Sequence, residues 1–160
     1  MAENIVINSS GNKVSKYQQL IPQLKSLIEP ESDFIANASN ICAALKECFG
    51  FLWVGFYFVK NEELVLGPFQ GPIACTRIAK GKGVCGSAWE KKTSIIVEDV
   101  SKFPGHIACS SLSQSEIVVP ALLNNQVVFV LDVDSDEINH FNQEDEKYLN
   151  DICKLLLAKY

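Results

Sequence analysis

Apolar positions keep a helical spacing towards both ends of the chain and an alternating or continuous spacing between them. Residues 14–28, "VSKYQQLIPQLKSLI", read as a first helix, weakened by Pro22. Residues 31–50, "ESDFIANASNICAALKECFG", read as a stronger one. Phe34, Ala38, Ile41, Leu45 and Cys48 recur every three or four positions, Ser32 or Asp33 is placed to cap the start, and Gly50 is a stop. The pattern then changes. "FLWVGFYFV" (51–59) is aromatic and β-branched, as a strand requires, and "EELVLGPF" and "PIACTRIA" predict two more. "GVCGSAWEKK" (83–92) predicts a short helix, "SIIVED" an extended segment, and residues 99–115 a long loop. "EIVVPALL" and "VVFVLDVD", joined by "NNQ", predict a hairpin. A final helix starts at Asn142, with Asp145 in the capping-box position and Leu149, Ile152, Cys153 and Leu156 along one face. Hairpin-forming strands bracketed by helices give an α+β fold, a central mainly antiparallel sheet flanked by helices. No internal repeat or low-complexity linker divides the chain. Residues 1–160 are expected to form a single domain, with 1–30 a helical extension packed on it.

Charge narrows the partners. The net charge is −5 and the pI about 5.0, and the longest basic run, "AKGKG", is short and broken by glycine. Nucleic acid and anionic membrane surfaces both need clustered Lys and Arg, so neither is expected. The opening "MAENIVINSSGNKVSK" lacks the charged and apolar regions of a signal peptide. No apolar run approaches the ~18 residues that span a bilayer. A cytoplasmic protein is expected.

That compartment bears on the six cysteines, Cys42, Cys48, Cys75, Cys85, Cys109 and Cys153. Under reducing conditions they are core fillers, metal ligands or redox thiols rather than a disulfide framework. Cys42, Cys48 and Cys153 lie on predicted helices, where a thiol packs as a small hydrophobe. Cys75 ends a predicted strand, Cys85 sits near a helix N-terminus that favours thiolate, and Cys109 lies in the loop "PGHIACSSLSQSEIVVP". Structural zinc takes ligands in close pairs, but Cys75, Cys85 and Cys109 are spaced by ten and twenty-four residues. His106 and His140 are the only imidazoles, and no metal site is expected. Inert packing and redox chemistry both remain open for these three thiols.

The strand "VVFVLDVD" is a second anomaly. Alternation puts Val128, Val130, Asp132 and Asp134 on one face, and Val127, Phe129, Leu131 and Val133 on the other. If the first face is buried, desolvation and repulsion raise at least one carboxyl pKa; otherwise the strand end runs into solvent. A three-residue turn at Asn124–Gln126, or a bulge with the same effect, places Glu116 across from Asp134. Trp53, Gly55 and Tyr57 share a face of the first strand, and Gly55 is expected to leave a gap between the two rings.

Together, "GPFQGPIACTRIAKGKGVCGSAW", "VEDVSKFPGHIAC", "SEIVVP" and "VLDVDS" resemble the signature of the free methionine-(R)-sulfoxide reductases, enzymes built on a single GAF domain. The resemblance runs from about Trp53 to the final helix, whose "FNQEDEKYL" looks like a GAF tail. It implies a GAF-like sheet, an enclosed pocket, and reduction of free methionine-(R)-sulfoxide with no bound cofactor. It implies Cys109 as nucleophile through a sulfenic acid, Cys75 or Cys85 as resolving thiol, and recycling by thioredoxin and its NADPH system. It also implies that Glu116, Asp132 and Asp134 bind and protonate the substrate, with Trp53 and Tyr57 around its methyl group. Ser110 departs from the family, which carries an acidic residue after that cysteine. The alternatives are a non-enzymatic GAF sensor of a small molecule and a thiol sensor of peroxide. An exposed first helix suggests a homodimer.

Overall fold

In the computed structural model, which describes residues 4–8, 10–107 and 110–160, two helices lead into the sheet: α1 (Lys13–Ile28) and α2 (Phe34–Phe49). Strands β1 (Trp53–Lys60), β2 (Glu63–Gln70) and β3 (Arg77–Ala79) follow, then α3 (Gly83–Lys91), β4 (Ile95–Val97), β5 (Ser115–Leu123), β6 (Gln126–Ser135) and α4 (Gln143–Leu157). The sheet has six strands in the order β3-β2-β1-β6-β5-β4, with every neighbouring pair antiparallel. The α+β architecture expected from the pattern is the one observed.

Local chemistry sets the helix ends. Asp33, rather than Ser32, caps α2 by accepting from the Ala36 N–H, and Gly50 closes it at φ 69°. Asn142 and Asp145 form the reciprocal capping box of α4. Pro22 lies within α1, which continues through it.

The two faces of the sheet have separate cores. Tyr17, Leu20 and Leu24 of α1, Ile41 and Leu45 of α2, and Leu149, Ile152 and Leu156 of α4 pack against Val54, Phe56, Ile117, Val119, Leu131 and Val133. On the other face Val84, Ala88 and Trp89 of α3 meet Trp53, Tyr57, Val118 and Val130. Cys42 and Cys153 fill the first core, as their helical positions suggest, and the half-buried Cys48 packs against it. A buried polar knot ties α1 to α4: Lys13 Nζ is 2.8 Å from Asp145 Oδ2, and the Tyr17 hydroxyl donates to Asp145 Oδ1 at 2.9 Å. No helix among the described residues is long and apolar enough to cross a membrane.

Three details differ from the sequence pattern. "PIACTRIA" is strand only at Arg77–Ala79, and the residues before it, Cys75 included, are irregular. The β5–β6 turn has two residues, Asn124 and Asn125, at φ 50° and 61°, the left-handed region a tight hairpin needs. Next to it Ala121 pairs with Phe129 but Leu122 with Val127, so Val128 is an extra, bulged residue. The bulge sends Val127 to the α3 side and Val128 to the opposite core, the reverse of strict alternation. Asp132 and Asp134, beyond it, keep the predicted face.

Candidate active site

On the α3 side, three strands lay side chains out in cross-strand rows. Trp53 of β1, Asp134 of β6 and Glu116 of β5 form one row; Gly55, Asp132 and Val118 form the next; Tyr57 and Val130 continue into the third. The bulge at Val128 sets this register, giving the Glu116–Asp134 pairing expected from sequence. α3 and the described residues of the loop before β5 border these rows. Trp53, Tyr57, Cys85, His106, Ser113, Glu116, Asp132 and Asp134 line one common cavity there.

The gap expected at Gly55 is not present. A Cβ on Gly55 would lie 2.4 Å from the Trp53 ring and 2.5 Å from Phe69 Cβ, so glycine is what lets the indole fold over the strand. Trp53 stacks between Phe69, at 5.4 Å between centroids, and Tyr57, at 5.9 Å. Both aromatic polar atoms hold the segment before β3. Trp53 Nε1 donates to the Pro72 carbonyl at 3.1 Å, and the Tyr57 hydroxyl donates to the Cys75 carbonyl at 2.9 Å. The two aromatics thus wall the cavity and tether the backbone that carries Cys75.

Cys75 is disulfide-bonded, whereas Cys42, Cys48, Cys85 and Cys153 are free thiols. Cys109, the expected nucleophile, lies outside the described residues. Cys85, in the first turn of α3, is buried against the carboxylates: its sulfur and one oxygen each of Glu116 and Asp132 lie within 4.8 Å of one another.

Two polar contacts escaped the sequence reading. His106 Nε2 lies 3.4 Å from Glu116 Oε2, and Ser113 Oγ donates to Asp134 Oδ1 at 2.5 Å. The "GHIAC" and "SLSQSE" stretches contain both residues, but nothing in their spacing shows that the loop folds back onto the carboxylate row. Ser110 lines the cavity, and its hydroxyl accepts from the Leu112 N–H at 3.2 Å.

A GAF domain family model matches residues 32–156. The chain is 59% identical to GAF domain-containing protein A of Dictyostelium discoideum, over 98% of this chain and 99% of that one. It is 44% identical to the free methionine-R-sulfoxide reductase of Escherichia coli, over 91% and 88% of the two chains. Among solved structures, it is similar to the free methionine-R-sulfoxide reductase of Neisseria meningitidis in complex with its substrate. There the TM-score is 0.96 and the identity 46%, over 99% of this chain and 95% of that one. The chain belongs to the free methionine-R-sulfoxide reductase family of GAF domain proteins.

Within this GAF domain the electrostatics of the cavity follow from burial. Desolvation pushes the Glu116 and Asp132 carboxyls well above the carboxylate range, and the neighbouring Asp134 charge adds to it. Asp134 is pushed up to about 6 by burial, held back by the Ser113 hydrogen bond and by His106. Cys85 departs from the thiolate expected at a helix start. Burial first, then the Asp132 and Glu116 charges, push its thiol well above the ordinary value. Two adjacent carboxyl groups and complete burial outweigh the partial charge of one short helix. Burial likewise raises the Tyr57 phenol, which therefore keeps the proton it donates to the Cys75 carbonyl.

Proposed function

We propose that this protein reduces free methionine-(R)-sulfoxide to methionine. The observation that carries the reading is the likeness, over 99% of the chain, to a solved reductase of that name in complex with its substrate. The cavity chemistry supports it. Burial raises the Glu116 and Asp132 carboxyls and so favours a protonated carboxyl as donor to the sulfoxide oxygen, and such a donor makes the sulfur electrophilic. Asp134, ionised near neutral pH, is the anchor for the substrate ammonium. Trp53 and Tyr57 give the S-methyl group an apolar wall.

The Cys109 thiolate attacks the sulfoxide sulfur, the sulfoxide oxygen passes to the cysteine, and methionine leaves with Cys109 as a sulfenic acid. The Cys75 thiol attacks that sulfenic sulfur, water leaves, and a Cys75–Cys109 disulfide forms. An external dithiol, thioredoxin fed by NADPH, restores both thiols by exchange, and a reducing cytoplasm suits the cycle. Cys75 takes the resolving role because Tyr57 fixes its backbone and because it is already engaged in a disulfide. Cys85, buried among the carboxylates, comes second.

The test follows NADPH consumption with thioredoxin and its reductase, on free sulfoxide of each epimer and on a sulfoxide within a peptide. Turnover of the free R epimer alone is expected. Cys109→Ser abolishes it, and Cys75→Ser permits one turnover but no recycling. No turnover of the free R epimer by the unsubstituted protein leaves a sensor of a small molecule or of peroxide as the reading.

A further inference from the structure

Cys85, Glu116 and Asp132 come from three separate elements, α3, β5 and β6, yet each offers a ligand atom within 4.8 Å of the others. All three are buried, with 3%, 6% and 7% of their surface exposed. Asp132 Oδ1 is the one buried side-chain oxygen or nitrogen without a hydrogen-bond partner among the described residues. An oxygen in that state is costly unless something else satisfies it. The three residues line the same cavity.

The donor set is selective. A thiolate with two carboxylates suits a borderline or soft divalent ion, whereas magnesium and calcium take oxygen ligands in larger number. Tetrahedral zinc bonds of about 2.0–2.3 Å put neighbouring donors roughly 3.3–3.8 Å apart, so rotamer adjustments of about 1 Å close the site. Asp134, His106, Tyr57 and Lys82 face the same cavity, and the acidic side chains outnumber the cationic ones there.

We propose that the reduced protein binds one thiophilic divalent cation, of the zinc or cadmium type, on Cys85, Glu116 and Asp132, and that cation and substrate exclude each other. The thiol proton and any carboxyl protons go to solvent, three anionic donors meet a dication, and no electrons move. While the ion is bound, the Cys85 sulfur is withheld from disulfide exchange. The exclusion of substrate rests on the proposed reductase reading; the cation site does not.

The test titrates cadmium into the full chain, reduced with a phosphine rather than a chelating dithiol. It reads the ultraviolet sulfur-to-cadmium absorption and displacement from a chromophoric chelator. One cadmium per chain is expected, competed by zinc and indifferent to magnesium. Cys85→Ser abolishes the band and weakens binding by at least about 10–100-fold, the cost of losing even an outer-shell partner. Asp132→Asn and Glu116→Gln, which keep the thiol, retain the band but weaken binding, so the answer survives if Cys85→Ser folds poorly. A Cys75→Ser/Cys109→Ser double variant keeps both band and affinity. An unchanged band in Cys85→Ser, or its loss in the double variant, overturns the proposal. Saturating free methionine sulfoxide is expected to weaken cadmium binding. Cadmium binding that it leaves unaltered overturns the shared chamber and leaves the cation site standing.

Discussion

Glu116 stands directly across the β5–β6 ladder from Asp134. Like charges opposite each other in an antiparallel pair destabilise it, and here both carboxyls are also withdrawn from water. The pairing is therefore a cost to the stability of the sheet. Burial raises both carboxyls, Asp134 to about 6 and Glu116 well above its ordinary value.

Asp134 makes stability depend on pH. Its carboxyl is at about 6 in the folded protein against an ordinary 3.8, so between those values the unfolded chain has lost a proton that the folded one keeps. Stability therefore falls as pH rises from about 4 to about 6, by up to about 3 kcal/mol, and stays reduced above that. Asp134→Asn cannot ionise. Denaturant melts from pH 4 to 8 are expected to show a flatter profile and higher stability at pH 7, with turnover of free sulfoxide strongly reduced. A variant no more stable than the parent at pH 7 contradicts the assignment.

Tyr57→Phe removes one hydroxyl and with it the 2.9 Å tether to the Cys75 carbonyl. About 1 kcal/mol of stability is expected to go, the usual worth of such a bond. If the tether positions Cys75, the sulfenic acid persists longer in single-turnover experiments, seen as greater labelling by a sulfenic-acid trap. Equal labelling in parent and variant would show that the segment needs no such hold.

Gly55→Ala forces a methyl group to within 2.4 Å of the Trp53 ring. Overpacking of this kind costs about 1–3 kcal/mol, and the indole must leave its stack with Phe69 and Tyr57. Thermal melts are expected to show the loss and tryptophan fluorescence the displacement. The KM for free sulfoxide should rise, because the apolar wall moves.

Lys13→Met serves as the contrasting case. It leaves Asp145 buried with Tyr17 and the Asn142 N–H but without its cation. A loss of about 1–3 kcal/mol is expected, since one partner of the pair stays in place and the lysine is partly exposed. Activity per folded molecule should match the parent, because the knot lies on the face of the sheet opposite the cavity. A change in KM there would mean that α1 transmits strain through the sheet.

The sequence by itself determined what depends on near neighbours along the chain. The caps at Gly50, Asn142 and Asp145, the burial of Cys42 and Cys153, and the face shared by Asp132 and Asp134 all follow from periodicity and side-chain-to-backbone bonding over a few residues. Tertiary structure decided the rest. The bulge at Val128 sets which residue faces Glu116, and a ladder chooses its bulges only once both strands and both cores are in place. The Trp53 ring closes the space at Gly55, and the Tyr57 hydroxyl finds the Cys75 carbonyl, through contacts no spacing encodes. Cys85 reverses its expected acidity for the same reason: a thiol's pKa is set by the water it loses and the charges it meets, and both arrive from distant strands only when the sheet closes over them.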